Sequence, residues 1–325
     1  MSSPPSPTYD DAYAQLIGAF HSSPPTLLEI EILPSSFPPQ ILHESSAVGI
    51  PKSLLVSLYL KARKTFFDHV SSRDSNLYHA ALQSTTIMLL FDPNHLTAAN
   101  FRKRHIQRFS GKQTEDAYNG RGAENLAKAV QQELRFLESL VTSPLSAHAK
   151  SSTLWAQRLW IVQNFFQLAV GEHVTDEAIQ MENARHGIRN LWDEELVSVM
   201  KAGERHPRNY YAWHYARELF WLVHTRRPEL AEGTQSDWKL LGDSSGLVHR
   251  WCLMHPRDIS GWAFLVFALE QLRIECCDKG RKRKRFDDGI AIFAPETKGF
   301  VKKYEWKGES IEWFLKAIKT LDIVE

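Results

Sequence analysis

Three basic residues share one address in this chain. Lys150, Arg208 and Arg257 each stand five positions before a tryptophan (Trp155, Trp213 and Trp262), in a short polar turn that precedes an apolar stretch. Cationic side chains and the positive ends of helices both favour anions, so a row of such turns is a candidate phosphate-binding rim. A solvated turn residue is the commoner outcome for each basic side chain. Tyr210, Tyr211 and His214 follow Arg208 and add polar aromatic surface; with Arg208 and Arg257 they are the candidate substrate-binding residues. His249, Cys252 and His255 invite a zinc reading, but residues six apart do not share a helical face, and Cys-x-x-His alone falls short of three or four ligands. No metal site is assigned. No dinucleotide-binding glycine pattern occurs, and no serine, histidine and acid arrangement emerges from the sequence alone.

The turns need helices to hold them. In HPRNYYAWHYARELFWLV, Pro207 stops an incoming helix and Asn209 is a good N-cap for the next. Tyr210, Trp213, Ala216, Phe220 and Val223 then fall on one helical face. The segment before it, with Leu196, Val199, Met200 and Gly203, has helical spacing as well. Helix, turn and helix make an αα-hairpin. The plan recurs around Ala99, Trp155, Trp213 and Trp262, separated by about 56, 58 and 49 residues, a spacing near that of stacked helix pairs. The repeat cores lie near residues 77–108, 124–170, 193–224 and 244–277.

Pro207, Arg208, Asn209, Tyr210 and Trp213 resemble the repeat of protein prenyltransferase α subunits, Pro-Lys-Asn-Tyr-x-x-Trp-x-x-Arg, with arginine in the lysine slot. Asp92-Pro93-Asn94 to Asn100-Phe101-Arg102 fits with alanine in the tryptophan slot. Lys150, Trp155 and Arg158 fit a further copy, although Ser151 and Ser152 replace Asn-Tyr. Pro256, Arg257 and Trp262 fit the last, where Leu265 replaces arginine. The resemblance implies an all-α fold, a right-handed α-α superhelix of helical hairpins. It implies an α-type, non-catalytic subunit that supports transfer of a farnesyl or geranylgeranyl group to a protein cysteine. The zinc ion would belong to a β-subunit partner, with isoprenoid diphosphate and acceptor protein reached through the complex. Lys150 is the position that would contact the diphosphate. The rival is a helical-repeat interaction scaffold without transfer activity.

Large side chains at matching points of each repeat read first as core, so Trp155, Trp213 and Trp262 are structural anchors. Arg102 and Arg158, three residues past their anchor slots, read as guanidinium groups paired with a carboxylate or carbonyls of a neighbouring hairpin, with Glu133 and Glu138 as partners. Arg217, four past Trp213, points differently. Residues 1–50 are dense in proline and read as partly irregular beyond a short helix near Tyr9 to Phe20; residues 51–325 form the repeat domain. No strand is expected. Helices broken near Gly187, a C-terminal cap at Gly171, an insertion-like loop over 226–245 and loops over 278–308 complete the reading, with a closing amphipathic helix over Glu309 to Leu321. The run Arg281 to Arg285 matches a nuclear-import or polyanion patch, though a solvated loop is commoner.

Composition sets the remaining bounds. A formal charge of +1 asks for neither nucleic acid nor a membrane surface. Three cysteines are too few for a disulfide framework and fit a reducing compartment. No apolar run reaches the roughly 18 residues of a membrane span, and MSSPPSPTYDD does not begin like a secretory signal. A cytoplasmic protein is the expectation.

Overall fold

In the computed structural model, residues 9–22, 25–110, 121–170, 177–226, 236–278 and 284–322 are described. Gly171, residues 281–283 of the basic run, the polar stretch 111–120 and half of the expected 226–245 loop lie outside them. The chain divides into two compact units, Met1–Gly171 and Glu172–Glu325.

The first unit begins with α1 (Tyr9–Phe20) and then departs from expectation. Three short strands, β1 (Glu29–Leu33), β2 (Leu42–Glu44) and β3 (Ala47–Pro51), make a sheet in the order β1-β3-β2. β1 runs parallel to β3 with Ile30 opposite Val48, and β2 runs antiparallel to it. Alternation in Glu-Ile-Glu-Ile-Leu puts Ile30 into the core with Val48 and Ile50, which suffices for a half-buried strand once a helix covers that face. The Leu28 N–H donates to the Ser139 hydroxyl at 2.9 Å and ties the start of β1 to a helix more than a hundred residues away.

Helices follow: α2 (Lys52–His69), α3 (Ser75–Phe91), α4 (Leu96–Ser110), α5 (Arg121–Val141), the short α6 (Ser146–Ala149), α7 (Ser152–Asn164) and α8 (Phe166–Val170). α3 and α4 form the first hairpin, α5 and α7 the second. In the second unit, α9 (Glu177–Arg205) pairs with α10 (Tyr210–Arg226), and α11 (Ser236–Met254) with α12 (Ile259–Asp278). α9 passes Gly187 without a break, and Ile188, Leu191 and Trp192 just after it are buried. α11 begins at Ser236, so the second half of the expected insertion loop is helical.

A further hairpin replaces most of the expected 278–308 loop. α13 (Lys284–Tyr304) contains Pro295, and α14 (Glu309–Asp322) packs against it. An internal proline removes one helical hydrogen bond, and tertiary contacts offset it. Thr297 is fully buried with its hydroxyl 2.8 Å from His249 of α11, and Phe293 meets the same imidazole at 4.8 Å between ring centroids.

One turn geometry repeats four times. His95, Ser151, Asn209 and Asp258 each lie four residues before the anchors Ala99, Trp155, Trp213 and Trp262. Their side chains accept from the backbone N–H three residues on, at 3.3, 3.1, 3.2 and 3.2 Å. Their carbonyls accept from the anchor N–H at 3.1, 3.2, 3.3 and 3.3 Å. Two of these caps also reach back into the preceding turn. The Ser151 hydroxyl lies 2.8 Å from the Pro93 carbonyl and from Asn94 Oδ1. Asp258 Oδ2 accepts from the Arg208 N–H at 2.7 Å, where Arg208 is left-handed with φ of 61°.

The anchors are buried, as their repeated position requires: 2% exposed for Trp155, 0% for Trp213 and Trp262. Trp213 meets Phe264 at 5.3 Å and Trp262 meets Phe314 at 4.6 Å, so each indole packs on a ring of the following hairpin. Trp251 fills the space between α9 and α12, where a methyl on Gly203 would come within 3.0 Å of it and one on Gly261 within 2.5 Å. Both positions are glycine because the indole occupies the room a side chain would take. Asp258→Ala removes a cap and the bond to Arg208 together; a loss of about 2 kcal/mol is expected in urea denaturation, with Asp258→Asn milder.

Candidate functional site

Arg208, Tyr210, Tyr211 and His214 converge on the start of α10. Asn209 beneath them is fully buried and fixes the helix start, while Arg208, Tyr210, Tyr211 and His214 are exposed. The Tyr210 and His214 rings stack, 5.7 Å apart and 5° from parallel, and Tyr210 meets Tyr211 edge to face. The result is a guanidinium, two phenols and an imidazole at the positive end of a long helix, which suits an anion with oxygen acceptors. Its electrostatic character rests on Arg208 and on the N-terminal amides of α10.

Arg257 holds the same place in the next turn, and the Asp258 contact to Arg208 joins the two turns directly. Its guanidinium lies over the Trp306 ring, 5.6 Å from the centroid. That stacking orients an exposed charge against an apolar face. Lys307 repeats the position once more, one residue before Gly308, whose carbonyl accepts from Glu312 N–H in the turn between α13 and α14. A side chain at Gly308 would collide with the Trp306 indole nitrogen at 2.7 Å. Lys150 belongs to the first unit. It is exposed and follows α6, with its N–H donating to the Ser146 carbonyl at 3.0 Å. The N-capping Ser151 next to it is fully buried.

Below these rims the side chains are structural. Arg102, 3% exposed, donates from Nε and Nη2 to the Glu133 carboxylate at 2.9 and 2.6 Å, and from Nη1 to the Thr85 and Thr86 hydroxyls. Phe136 closes over it, 4.2 Å from guanidinium to ring centre. Gln157 completes the group by donating to Glu133. Arg158 donates to the Leu134 carbonyl at 2.7 Å, and Glu138 pairs with Arg135. Arg217 is half-buried, its guanidinium over the Phe267 ring at 5.7 Å from the centroid.

Tyr215 and Glu195 form a buried pair in the second unit, with the phenol donating at 2.8 Å. Sequence reading passed over both, because an acid about three helical turns before His206 carries no pattern of its own. A further missed signal was periodic. His148 and His255 sit seven residues before their anchors, and each donates to a backbone carbonyl, of Leu90 at 2.8 Å and of Trp251 at 2.9 Å.

The suspected zinc residues go separate ways. Cys252 is fully buried and burial raises its thiol pKa, so the thiolate that zinc needs is disfavoured. His249 is held by Thr297, and His255 stacks on Trp251. Among the described residues, no group of three or more histidines, cysteines and acids is arranged to hold a metal ion. No helix among them is long and apolar enough to cross a membrane.

Comparison with known proteins follows the hairpins of the second unit. A family model described as "Protein prenyltransferase alpha subunit repeat" matches residues 192–222 and 246–272, which take in the last turns of α9 with α10, and α11 with α12. Two helical pairs of the second unit thus match the repeat, in divergent form. Among its relatives is "Protein prenyltransferase alpha subunit repeat-containing protein 1" of Danio rerio, 27% identical over 205 residues, covering 62% of this chain and 41% of the relative. The Homo sapiens protein of the same name is 27% identical over 192 residues, covering 58% and 39%. "Protein ECM9" of Saccharomyces cerevisiae is 21% identical over 246 residues, covering 74% and 53%. The chain thus spans about two fifths to one half of the length of these relatives.

Two outcomes follow from the buried groups. Glu133→Ala strands a buried guanidinium and is expected to cost about 3–5 kcal/mol in urea denaturation, while Arg102→Met with Glu133→Leu recovers much of the loss. Burial holds His249 down to about 4, from an ordinary value near 6.5. Its contribution is therefore complete above pH 6.5 and is lost as pH falls from there towards 4, since only the unfolded chain takes up the proton in that window. Denaturation midpoints measured between pH 7 and 4.5 should fall, and His249→Gln should flatten part of that slope.

Proposed function

We propose that this chain acts as an α-type subunit of a protein prenyltransferase, inactive alone and working with a β subunit. The observation that carries the proposal is the pair of joined basic turns in the second unit, set on buried caps, above all Arg208 with Tyr210, Tyr211 and His214. The match of two helical pairs to the repeat supports it, and the names of the relatives above speak of nothing beyond the repeat.

In the proposed complex the acceptor cysteine thiolate attacks the first carbon of a farnesyl or geranylgeranyl diphosphate. A carbon–sulfur bond forms, the carbon–oxygen bond breaks, and diphosphate leaves. This chain would contribute positive charge and hydrogen-bond donors at the departing diphosphate, either from Lys150 of the first unit or from the Arg208 and Arg257 turns of the second. Such groups assist most where charge develops in the transition state. A zinc ion in the β subunit would hold the acceptor sulfur as thiolate. The complex would be cytoplasmic.

Co-expression with a protein prenyltransferase β subunit tests the reading. A stable complex that transfers a prenyl group to a protein cysteine is expected, with Lys150→Ala or Arg208→Ala lowering the rate about tenfold or more, the scale of one lost charge-assisted hydrogen bond. Failure to bind any such β subunit, or a complex without transfer, would leave the interaction scaffold as the function.

A further inference from the structure

α2 packs against α3 in the first unit, and its two faces differ. Leu54, Leu58, Ala62 and Phe66 are buried towards α3. On the opposite side Val56 is 40% exposed, Leu60 61% and Phe67 52%. These three recur at steps of four and seven, the spacing of an apolar seam on a helix. Phe91 at the end of α3 is also exposed, and it stacks on Tyr59 at 4.1 Å, which widens the seam at one end. α1 and β3 touch α2 and leave the seam uncovered.

Every stacked hairpin has a face that its neighbour covers, and a stack ordinarily ends on a polar outer face. α2 instead carries a strip of large exposed apolar side chains about 16 Å long from Val56 to Phe67. Basic residues edge the strip. Lys52 and Arg63 have no ion pair among the described residues, and Arg63 lies over the Phe67 ring at 5.3 Å. Lys64 pairs with Asp68 at 2.5 Å, and Lys61 pairs with Asp10.

We infer that this face of α2 docks an amphipathic helix of a partner protein, whose apolar stripe is bordered by acidic residues. The seam has helical period and is one side chain wide, which matches a helix laid alongside. Arg63 and Lys52 supply the charge that acidic borders complement. A bilayer surface fits less well, because the apolar strip is narrow and Asp68 stands at its end. The inference is independent of prenyl transfer, since α2 lies outside the residues matched to the family repeat.

The test uses the full chain and a fluorescent synthetic peptide of about 18 residues, long enough to populate a helix, with leucines at i, i+4, i+7 and i+11 flanked by glutamates. Saturable binding by anisotropy is expected, weakened by salt and weakened about tenfold or more by Leu60→Glu or Phe67→Glu. Arg63→Glu should weaken it too, and a peptide with lysines in place of glutamates should recover binding to that variant. Thermal melts establish that each variant is folded. Absence of saturable binding overturns the inference, as does binding that none of the variants alters. Flotation with phosphatidylserine vesicles, or dimerisation in sedimentation, that Leu60→Glu abolishes while the peptide fails to bind also overturns it, in favour of a membrane or a second copy.

Discussion

The turns between paired helices depend on one hydrogen bond. A side chain four residues before each anchor accepts from an N–H in the first turn of the following helix, and so fixes where that helix starts. With the start fixed, the next four residues deliver the anchor to the core, and the residue just before the cap is left outside. Lys150, Arg208 and Arg257 owe their position to this. Each is displayed by the buried cap beside it. In two of the turns the same cap also grips the preceding hairpin, so the atom that starts one helix sets its distance from the last turn. Local and long-range order are therefore the same contact at Ser151 and at Asp258.

Much of this was legible. The anchors at Trp155, Trp213 and Trp262, the helical pairs around them and the basic turn position follow from spacing alone, because burial imposes a strict helical period on large side chains. The caps were only partly legible. Asn209 announces itself, but His95, Ser151 and Asp258 perform the same task with three other chemistries, and a search for one residue type finds none of them. The sheet escaped for a different reason. Its strands are three to five residues long among prolines, and what makes Glu29–Leu33 a strand is its pairing with Ala47–Pro51 and the grip of Ser139 on Leu28. The helix through Pro295 ran against local preference, and only the contacts of Phe293 and Thr297 with His249 explain it.

The two units solve the same packing problem with different materials. The first places a charged group at its centre, where Arg102, Glu133, Gln157 and two threonines satisfy one another with little solvent. The second relies on rings, Trp213 against Trp251 and Phe264, Trp262 against Phe314, with the Tyr215–Glu195 pair as a polar inclusion. A buried ion pair confers orientation more than net stability, because desolvation offsets most of the attraction. Stacked indoles contribute through area and dispersion. The exposed Arg208 group thus stands on the more apolar of the two foundations.

Pro295 has a consequence for the order in which the second unit assembles. A helix lacking one of its own backbone bonds in mid-length nucleates poorly on its own, and α13 finds its compensation in a histidine of α11. Its formation therefore waits on α11, and α14, whose Phe314 closes over Trp262, shares that dependence. In a stack joined through neighbours, the last pair to dock is also the first to come loose. Amide exchange would then be graded along the unit, slowest around Trp213 and fastest beyond Lys284.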